Sequence, residues 1–335
     1  MTTEQITDLD LTFRPWRGAP DAEEMARVSN AANRAEGVEQ HNTPEELMNY
    51  FGHPDEHADA ARDLIVVELD REVVGYGWHS WVDTSDELRE HRLGGYVHPD
   101  WTGRGIGRRL QAWLEARARE SAADHPSDRP VVLGSWADDQ RLAKRALLEH
   151  LGYRVVRGFF EMRRDDLDRV EVPPMPDGLE VRPVPSDRAS LRRLFDADAE
   201  AFLDHWGGFV ASDATFQAWL DEPGADPSLY VAAWDGDEIA GAVINHIPRA
   251  DNEAFGIKRG WLESVFVRRP WRRRGLAAAL VARSLVRLRE AGMDHGMLGV
   301  DAENPTGALG VYERAGFRVV KRSWAYRRPM EDAAS

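Results

Sequence analysis

The chain repeats itself. Leu11-Thr12-Phe13-Arg14-Pro15 returns as Leu179-Glu180-Val181-Arg182-Pro183. Gly103-Arg104-Gly105-Ile106-Gly107 has its counterpart in Arg273-Arg274-Gly275-Leu276-Ala277, and Leu151-Gly152-Tyr153-Arg154-Val155-Val156 in Ala315-Gly316-Phe317-Arg318-Val319-Val320. Three landmarks in the same order, each displaced by roughly 165 residues, describe a duplicated domain rather than a solenoid. The displacement shrinks before the last landmark, which puts the extra residues of the first copy in the polar loop His125–Arg129. Between the copies, acidic residues lead into Pro173-Pro174-Met175-Pro176-Asp177-Gly178, the composition of a stiff linker. The expected organisation is a first domain over 1–164, a linker over 165–178 and a second domain over 179–335.

Each copy reads as a mixed α/β unit. Leu229–Trp234 and Ile239–Ile244 form strands around a turn at Asp235-Gly236, and Leu64–Leu69 and Val73–Tyr76 do the same around Asp70-Arg71. After the glycine turn, Ala277, Leu280, Val281, Ser284, Leu285 and Leu288 keep helical spacing up to Gly292. A strand at Met297–Val300, a helix near Gly307–Arg314 and a last strand over Phe317–Tyr326 complete the unit.

Of 335 residues, 42% are hydrophobic and 30% charged, enough apolar material for a packed core. Cysteine is absent, which excludes disulfides, cysteine zinc sites and a thiol intermediate. The net charge of -15 argues against nucleic acid as a partner and favours a cationic one. The acidic N-terminus and short apolar runs predict neither a signal peptide nor a membrane span, hence a cytoplasmic protein, monomer or homodimer.

Against this acidic background, five arginines crowd Arg268-Arg269-Pro270-Trp271-Arg272-Arg273-Arg274, between a strand ending at Val267 and a helix starting near Gly275. A helix start offers unpaired N–H groups, glycine permits close approach, and arginine adds forked donors. The combination suits a diphosphate; a solvated basic turn is the plainer reading. No Gly-Lys-Ser/Thr follows, so it is not a P-loop, and the spacing fails the dinucleotide fingerprint.

Arg272-Arg273-Arg274-Gly275-Leu276-Ala277 resembles the Arg/Gln-x-x-Gly-x-Gly/Ala signature of the GCN5-related N-acetyltransferases (GNAT). Asn304-Pro305-x-x-Ala308-x-x-x-Tyr312-x-x-x-Gly316-Phe317 resembles the family's second motif. The duplication extends the resemblance over about residues 11–164 and 179–328. It implies two tandem GNAT-like domains, each a mixed, mostly antiparallel twisted sheet flanked by helices. It implies acetyl transfer from acetyl-CoA, as co-substrate, to an amine. The backbone of Arg272, Arg273, Arg274, Gly275, Leu276 and Ala277 would hold the pyrophosphate; Val265, Phe266 and Val267 would pair with pantetheine, with Asn304 beside them. The first copy keeps Arg104, Gly105 and Gly107 after Val97, a second site of the same kind, but has Thr102 for Arg272, Gln140 for Asn304 and Leu148 for Tyr312. The first copy is therefore expected to be non-catalytic.

Direct transfer needs a base, an oxyanion donor and an acid for the thiolate. Tyr312 takes the acid's place in the resemblance; the plainer reading is a core aromatic. Glu263 is the candidate base, since alternation places Glu263, Val265 and Val267 on one face; it equally suits binding of a cationic substrate. His205 and Trp206 mark the acceptor side, where an ordinary packing edge is the competing reading. The acceptor is a primary amine of a small molecule or peptide. His53-Pro54-Asp55-Glu56-His57 fits a zinc-peptidase pattern, but Pro54 breaks the helix it needs, so no metal is expected. The twelve tryptophans are read as core and lid. The alternatives are a non-catalytic acyl-CoA-binding regulator and an enzyme using another acyl-CoA.

Overall fold

The computed structural model describes residues 9–53, 57–203, 205–207, 211–304 and 307–330. The chain forms two compact units, Met1–Val156 with Trp324–Ser335, and Arg157–Ser323.

The first unit begins with β1 (Leu11–Pro15), α1 (Ala19–Glu36), α2 (Pro44–Gly52) and α3 (Ala60–Asp63). It continues through β2 (Leu64–Leu69), β3 (Glu72–Asp83), β4 (Arg89–Val97), α4 (Ile106–Asp124), β5 (Val131–Asp138) and α5 (Leu142–His150). Its strands lie in the order β1-β2-β3-β4-β5, antiparallel except β4 with β5. Asp70 and Arg71 both take positive φ, the backbone a tight hairpin requires, without a glycine. Ile106, Leu110, Leu114 and Ala118, a turn apart on α4, bury against β2, β4 and β5. A second core lies under α1 and α2, on Met25, Val28, Leu64 and Tyr76.

The chain then passes through β6 (Arg154–Arg164) and β7 (Glu180–Arg182) to α6 (Arg188–Phe202) and α7 (Asp213–Leu220). There follow β8 (Val231–Asp235), β9 (Glu238–His246), α8 (Arg249–Phe255), β10 (Arg259–Val267), α9 (Leu276–Glu290), β11 (His295–Asp301), α10 (Ala308–Arg314) and β12 (Arg318–Pro329). In the second unit the order is β6-β11-β10-β9-β8-β7, with β10 and β11 the parallel pair. Leu276, Leu280, Leu285 and Leu288 of α9 pack on one face with Val300 and Tyr312. Leu191, Leu194 and Phe195 of α6 and Phe216 of α7 cover the other.

Both units are mixed α/β with mostly antiparallel sheets, as the residue pattern anticipates. The strand partners are less local than the repeat suggests. From Arg157 onward, β6 belongs to the second unit, where Gly296↔Arg164 through Asp301↔Phe159 pair it with β11. The end of β12 belongs to the first unit, where the Met330 N–H donates to the Val131 carbonyl (3.0 Å). The packing boundary at Val156/Arg157 thus precedes the compositional one at 165–178. That stretch is docked: Leu167 is buried in the second unit's core with Val170 and Met175 against it, and Arg283 Nη1 donates to the Pro173 carbonyl (2.8 Å).

Candidate active site

The second unit opens where two parallel strands part. The register of β10 with β11 runs from Arg259↔His295 to Trp261↔Met297 and ends there, while β10 stays paired with β9 as far as Val267↔Gly241. A strand edge left this way needs hydrogen-bond partners from water or a ligand. Val265, Phe266 and Val267 lie on it. The strand also shifts register between Leu262 and Ser264, a β-bulge centred on Glu263. The bulge corrects the strict alternation expected for Glu263, Val265 and Val267. Leu262, Val265 and Val267 face the α9 core, whereas Ser264 turns to α6. Two residues of β10 now oppose one of β9, so Glu263 cannot keep the parity counted from the sequence.

The turn after β10 is a backbone cradle. Arg272 is extended (φ -67°, ψ 159°), Arg273 is left-handed (φ +61°), and Gly275 (φ +86°) precedes α9 with no side chain capping the helix. A Cβ on Gly275 would meet nothing within 4 Å, so the space in front of the free N–H groups is open. Leu276, 1% exposed, anchors the helix start in the core. The arginines divide. Arg268 binds Glu200 and Glu238. Arg272 Nε donates to the Val267 carbonyl (2.9 Å) and its Nη2 to the Ala201 carbonyl (3.4 Å), and Arg274 Nη2 donates to the Asp177 carbonyl (2.7 Å). Arg273 is exposed, with no polar partner among the described residues. The expectation of a five-arginine anion site therefore narrows to backbone amides with Arg273 beside them. The other arginines named here hold the turn in place.

Tyr312, on α10, is buried in the same core as Leu276 and Leu280, its ring edge-on to Phe317 at 6.1 Å. Burial pushes its phenol up to about 12, so it keeps its proton at neutral pH. Glu263 keeps solvent access yet stands in a recess, and desolvation, with Glu222 adding like charge, raises its carboxyl above the usual range. Asp198 of α6 was not singled out from the sequence. Ser264 Oγ donates to its Oδ1 at 2.6 Å, and burial pushes the carboxyl up to about 6 against that hydrogen bond. Its signal was available: Leu191, Leu194, Asp198 and Ala201 fall on one helical stripe, a carboxylate among apolar positions.

His205 and Trp206 follow α6. The His205 ring lies 4.1 Å from the Phe202 ring. Trp206 packs 5.8 Å from Phe159 of β6, with the Arg157 guanidinium 5.9 Å from its ring. Arg157 in turn grips Asp301 through two bonds of 2.9 and 2.8 Å. Sequence reasoning missed Arg157 and Phe159 because β6 was counted with the first copy. Asn304 sits in the turn after β11, its N–H donating to the Asp301 carbonyl (3.1 Å); Pro305 and Thr306 lie outside the described residues.

The first copy builds the same cradle. Thr102 (φ -68°, ψ 158°) matches Arg272, Gly103 (φ +74°) matches Arg273, and Gly105 (φ +82°, ψ -4°) matches Gly275 (ψ 0°). Gly107 lies on the first turn of α4, Arg104 stacks 4.6 Å over Trp101, and β4 leaves β5 after Arg92↔Gly134 while staying paired with β3 to Val97. Its chemistry differs. Leu148, 1% exposed, fills the place of Tyr312. Arg141 ties α5 to α1 through Glu36 (2.8 Å) and Asn33 (2.6 Å), and its guanidinium lies 5.0 Å from the Tyr96 ring on β4.

The zinc-peptidase pattern falls partly outside the described residues at 54–56. His53 and His57 each engage a backbone carbonyl, of Asn49 and Trp81. Among the described residues no cluster of three metal-ligating side chains occurs, and no helix is long and apolar enough to cross a membrane.

Two family models match the chain: the acetyltransferase (GNAT) family over residues 191–317 and an acetyltransferase (GNAT) domain over 60–155. A mycothiol acetyltransferase of Geodermatophilus obscurus is 30% identical over 309 residues, covering 88% of this chain and 90% of that protein. One from Salinispora arenicola is 29% identical over 303 residues, 89% of this chain and 90% of the other. Among solved structures, a GCN5-related N-acetyltransferase from Sphaerobacter thermophilus superposes with a TM-score of 0.68 at 27% identity, covering 97% of each chain. A tandem GNAT protein from the clavulanic acid biosynthesis pathway shares the fold, with a TM-score of 0.67 at 17% identity over 97% of this chain and all of the other. Two parted strand pairs, two glycine cradles and these relatives agree: the chain belongs to the GNAT family, carries two of its domains in tandem, and is an acetyltransferase.

Proposed function

We infer that the protein moves acetyl from acetyl-CoA to a primary amine by direct attack, and that the C-terminal copy does the chemistry. The observation that carries this reading is the contrast at one helix position, Tyr312 against Leu148, on matching backbones. A leucine has no proton to give. The cradle at Arg272–Ala277 binds the pyrophosphate of the donor, and Val265–Val267 offer the free strand edge to its pantetheine arm. Glu263, raised by its recess, takes a proton from the attacking nitrogen. Tyr312 supplies one to the departing sulfur. The absence of cysteine suits a mechanism without an acyl-enzyme. The first copy's cradle at Gly103–Gly107, with Arg104 in its turn, is a second place for a diphosphate, without turnover.

For the acceptor, the relatives named mycothiol acetyltransferase support a small-molecule amine related to mycothiol; a cysteinyl amine on a sugar conjugate is the acceptor we take for the tests. Glu263 with Glu222 near it, and Asp198 bonded to the adjacent Ser264, supply negative charge that suits such a cationic group.

Gly275→Glu tests the assignment: its Cβ meets no protein atom, its left-handed backbone costs about 1–2 kcal/mol, and it adds a negative charge beside the amides assigned to the pyrophosphate. Acetyl-CoA-dependent thiol release should be abolished by Gly275→Glu and largely kept by Gly105→Glu. Equal loss from the two folded variants overturns the division of labour.

A further inference from the structure

An amine acceptor that arrives as an ammonium must lose two protons, one before it attacks and one as the tetrahedral intermediate collapses. Glu263 accepts one. The structure holds a second carboxylate at the same bulge. Asp198 reaches from α6 to Ser264, the residue after Glu263, and its Oδ1 accepts the Ser264 hydroxyl at 2.6 Å. Its Oδ2 has no protein partner among the described residues. A half-buried carboxylate on the apolar stripe of a helix is costly unless something uses it.

We propose that Asp198 is the residue that receives the acceptor's ammonium, oriented by Ser264, and removes its first proton. This rests on the C-terminal copy being the catalyst. The balance is complete without a further reagent. Asp198 takes one proton from the ammonium. The freed nitrogen lone pair forms the C–N bond to the thioester carbonyl carbon, Glu263 takes the second proton from nitrogen, and the C–S bond breaks. Tyr312 protonates the thiolate, and water re-equilibrates the three side chains, leaving one net proton in solution.

The surroundings leave Asp198 free to do this. α6 packs on β9 and β10. The charged or titratable groups there are Glu238, already bound to Arg268; His246, which burial holds below its ordinary value; Arg259, paired with Asp251; and Glu263. On α6 itself, Arg192 pairs with Asp196 and Asp213, and Glu200 with Arg268; Arg193 donates to the Asp237 carbonyl. At the turn beyond, Arg272 is spent on the Val267 and Ala201 carbonyls. The nearest hydrogen-bond donor is the neutral Ser264, so an incoming cation meets an unneutralised carboxylate.

The test uses the full chain, acetyl-CoA and S-methylcysteinyl-glucosamine, whose methylated sulfur leaves released CoA as the thiol measured. For the wild type, kcat/KM should fall on the acid side with a midpoint near the Asp198 value of about 6. Asp198→Asn should lower kcat/KM at neutral pH by about 100-fold or more. The deficit should shrink as pH rises and the acceptor sheds its own proton, with calorimetric acetyl-CoA affinity unchanged. Ser264→Ala removes a bond that favours the ionised carboxylate, so it should move the acid limb to higher pH. If Asp198→Asn keeps the wild-type rate and acid limb, or loses the same factor at every pH together with acetyl-CoA affinity, Asp198 is packing and the proposal fails alone. If the wild type does not acetylate this probe, or its turnover survives Gly275→Glu, the reading of the site fails and takes Asp198 with it.

Discussion

Tyr312 and Leu148 occupy one helix position in two copies of one sequence, both buried, and only one carries a hydroxyl. Tyr312→Phe keeps the ring that fills the core and removes only the hydroxyl. Turnover should drop by about 100-fold or more while acetyl-CoA titrates as before, measured by steady-state kinetics beside calorimetry. Because burial moves the phenol up to about 12, wild-type turnover should not decline on Tyr312's account below about pH 10. Unchanged turnover in Tyr312→Phe makes the residue packing and sends the search for the acid elsewhere. Arg273 makes a related point about what one residue can hide. Its left-handed backbone is the conformation that the first copy gives to Gly103, at a cost for a side-chain-bearing residue of about 1 kcal/mol. The letters "Arg-Arg-Arg" advertised charge, and of those three the structure leaves one, Arg273, without a polar partner among the described residues, beside two that brace the turn.

Elements were legible where local pattern decides them. The α9 stripe, its stop before Gly292 and the hairpin at Asp235-Gly236 all follow from spacing and turn chemistry, and they stand where expected. The bulge at Glu263 was not legible, since it depends on how β9 and β10 count against each other. Nor was the buried relay that joins four elements of the first unit. Arg117 of α4 donates to Asp63 of α3 (2.8 Å), Asp63 pairs with His79 Nδ1 of β3 (2.9 Å), and His79 Nε2 meets His91 Nδ1 of β4 (2.8 Å). With Asp63 ionised, His79 carries its proton on Nδ1. His91 then donates from Nδ1, leaving its buried Nε2 bare. Burial, followed by His79, holds His91 down to about 3. The sign follows: between about pH 6.5 and 3 the unfolded chain binds a proton that the folded chain refuses, so stability falls as pH falls through that window. The loss should approach 1.4 kcal/mol per pH unit, roughly, from this one group. Denaturant midpoints at pH 7, 6 and 5 check it, and a folded His91→Phe should flatten the slope.

At the scale of the whole molecule, the sequence repeat and the packing units divide the chain differently. The repeat sets the second copy at 179–335, but the second unit needs residues 157–178: β6 pairs with β11, Leu167 enters the core, and Trp206 leans on Phe159. A fragment spanning 157–323 should unfold cooperatively by circular dichroism. A fragment spanning 179–323 should show no cooperative melt or should aggregate through the exposed edge of β11. Indistinguishable melts from the two would mean that β6 is dispensable.

The donated strands also bear on how such a gene can change. A duplicated domain is ordinarily free to decay or be deleted wherever one copy suffices. Here a deletion of the first copy's full stretch takes away Phe159 and the partner of β11, and a stop codon ahead of Trp324 takes from the first unit the strand that lies beside β5. The two halves are inherited together because each is built partly from the other's text.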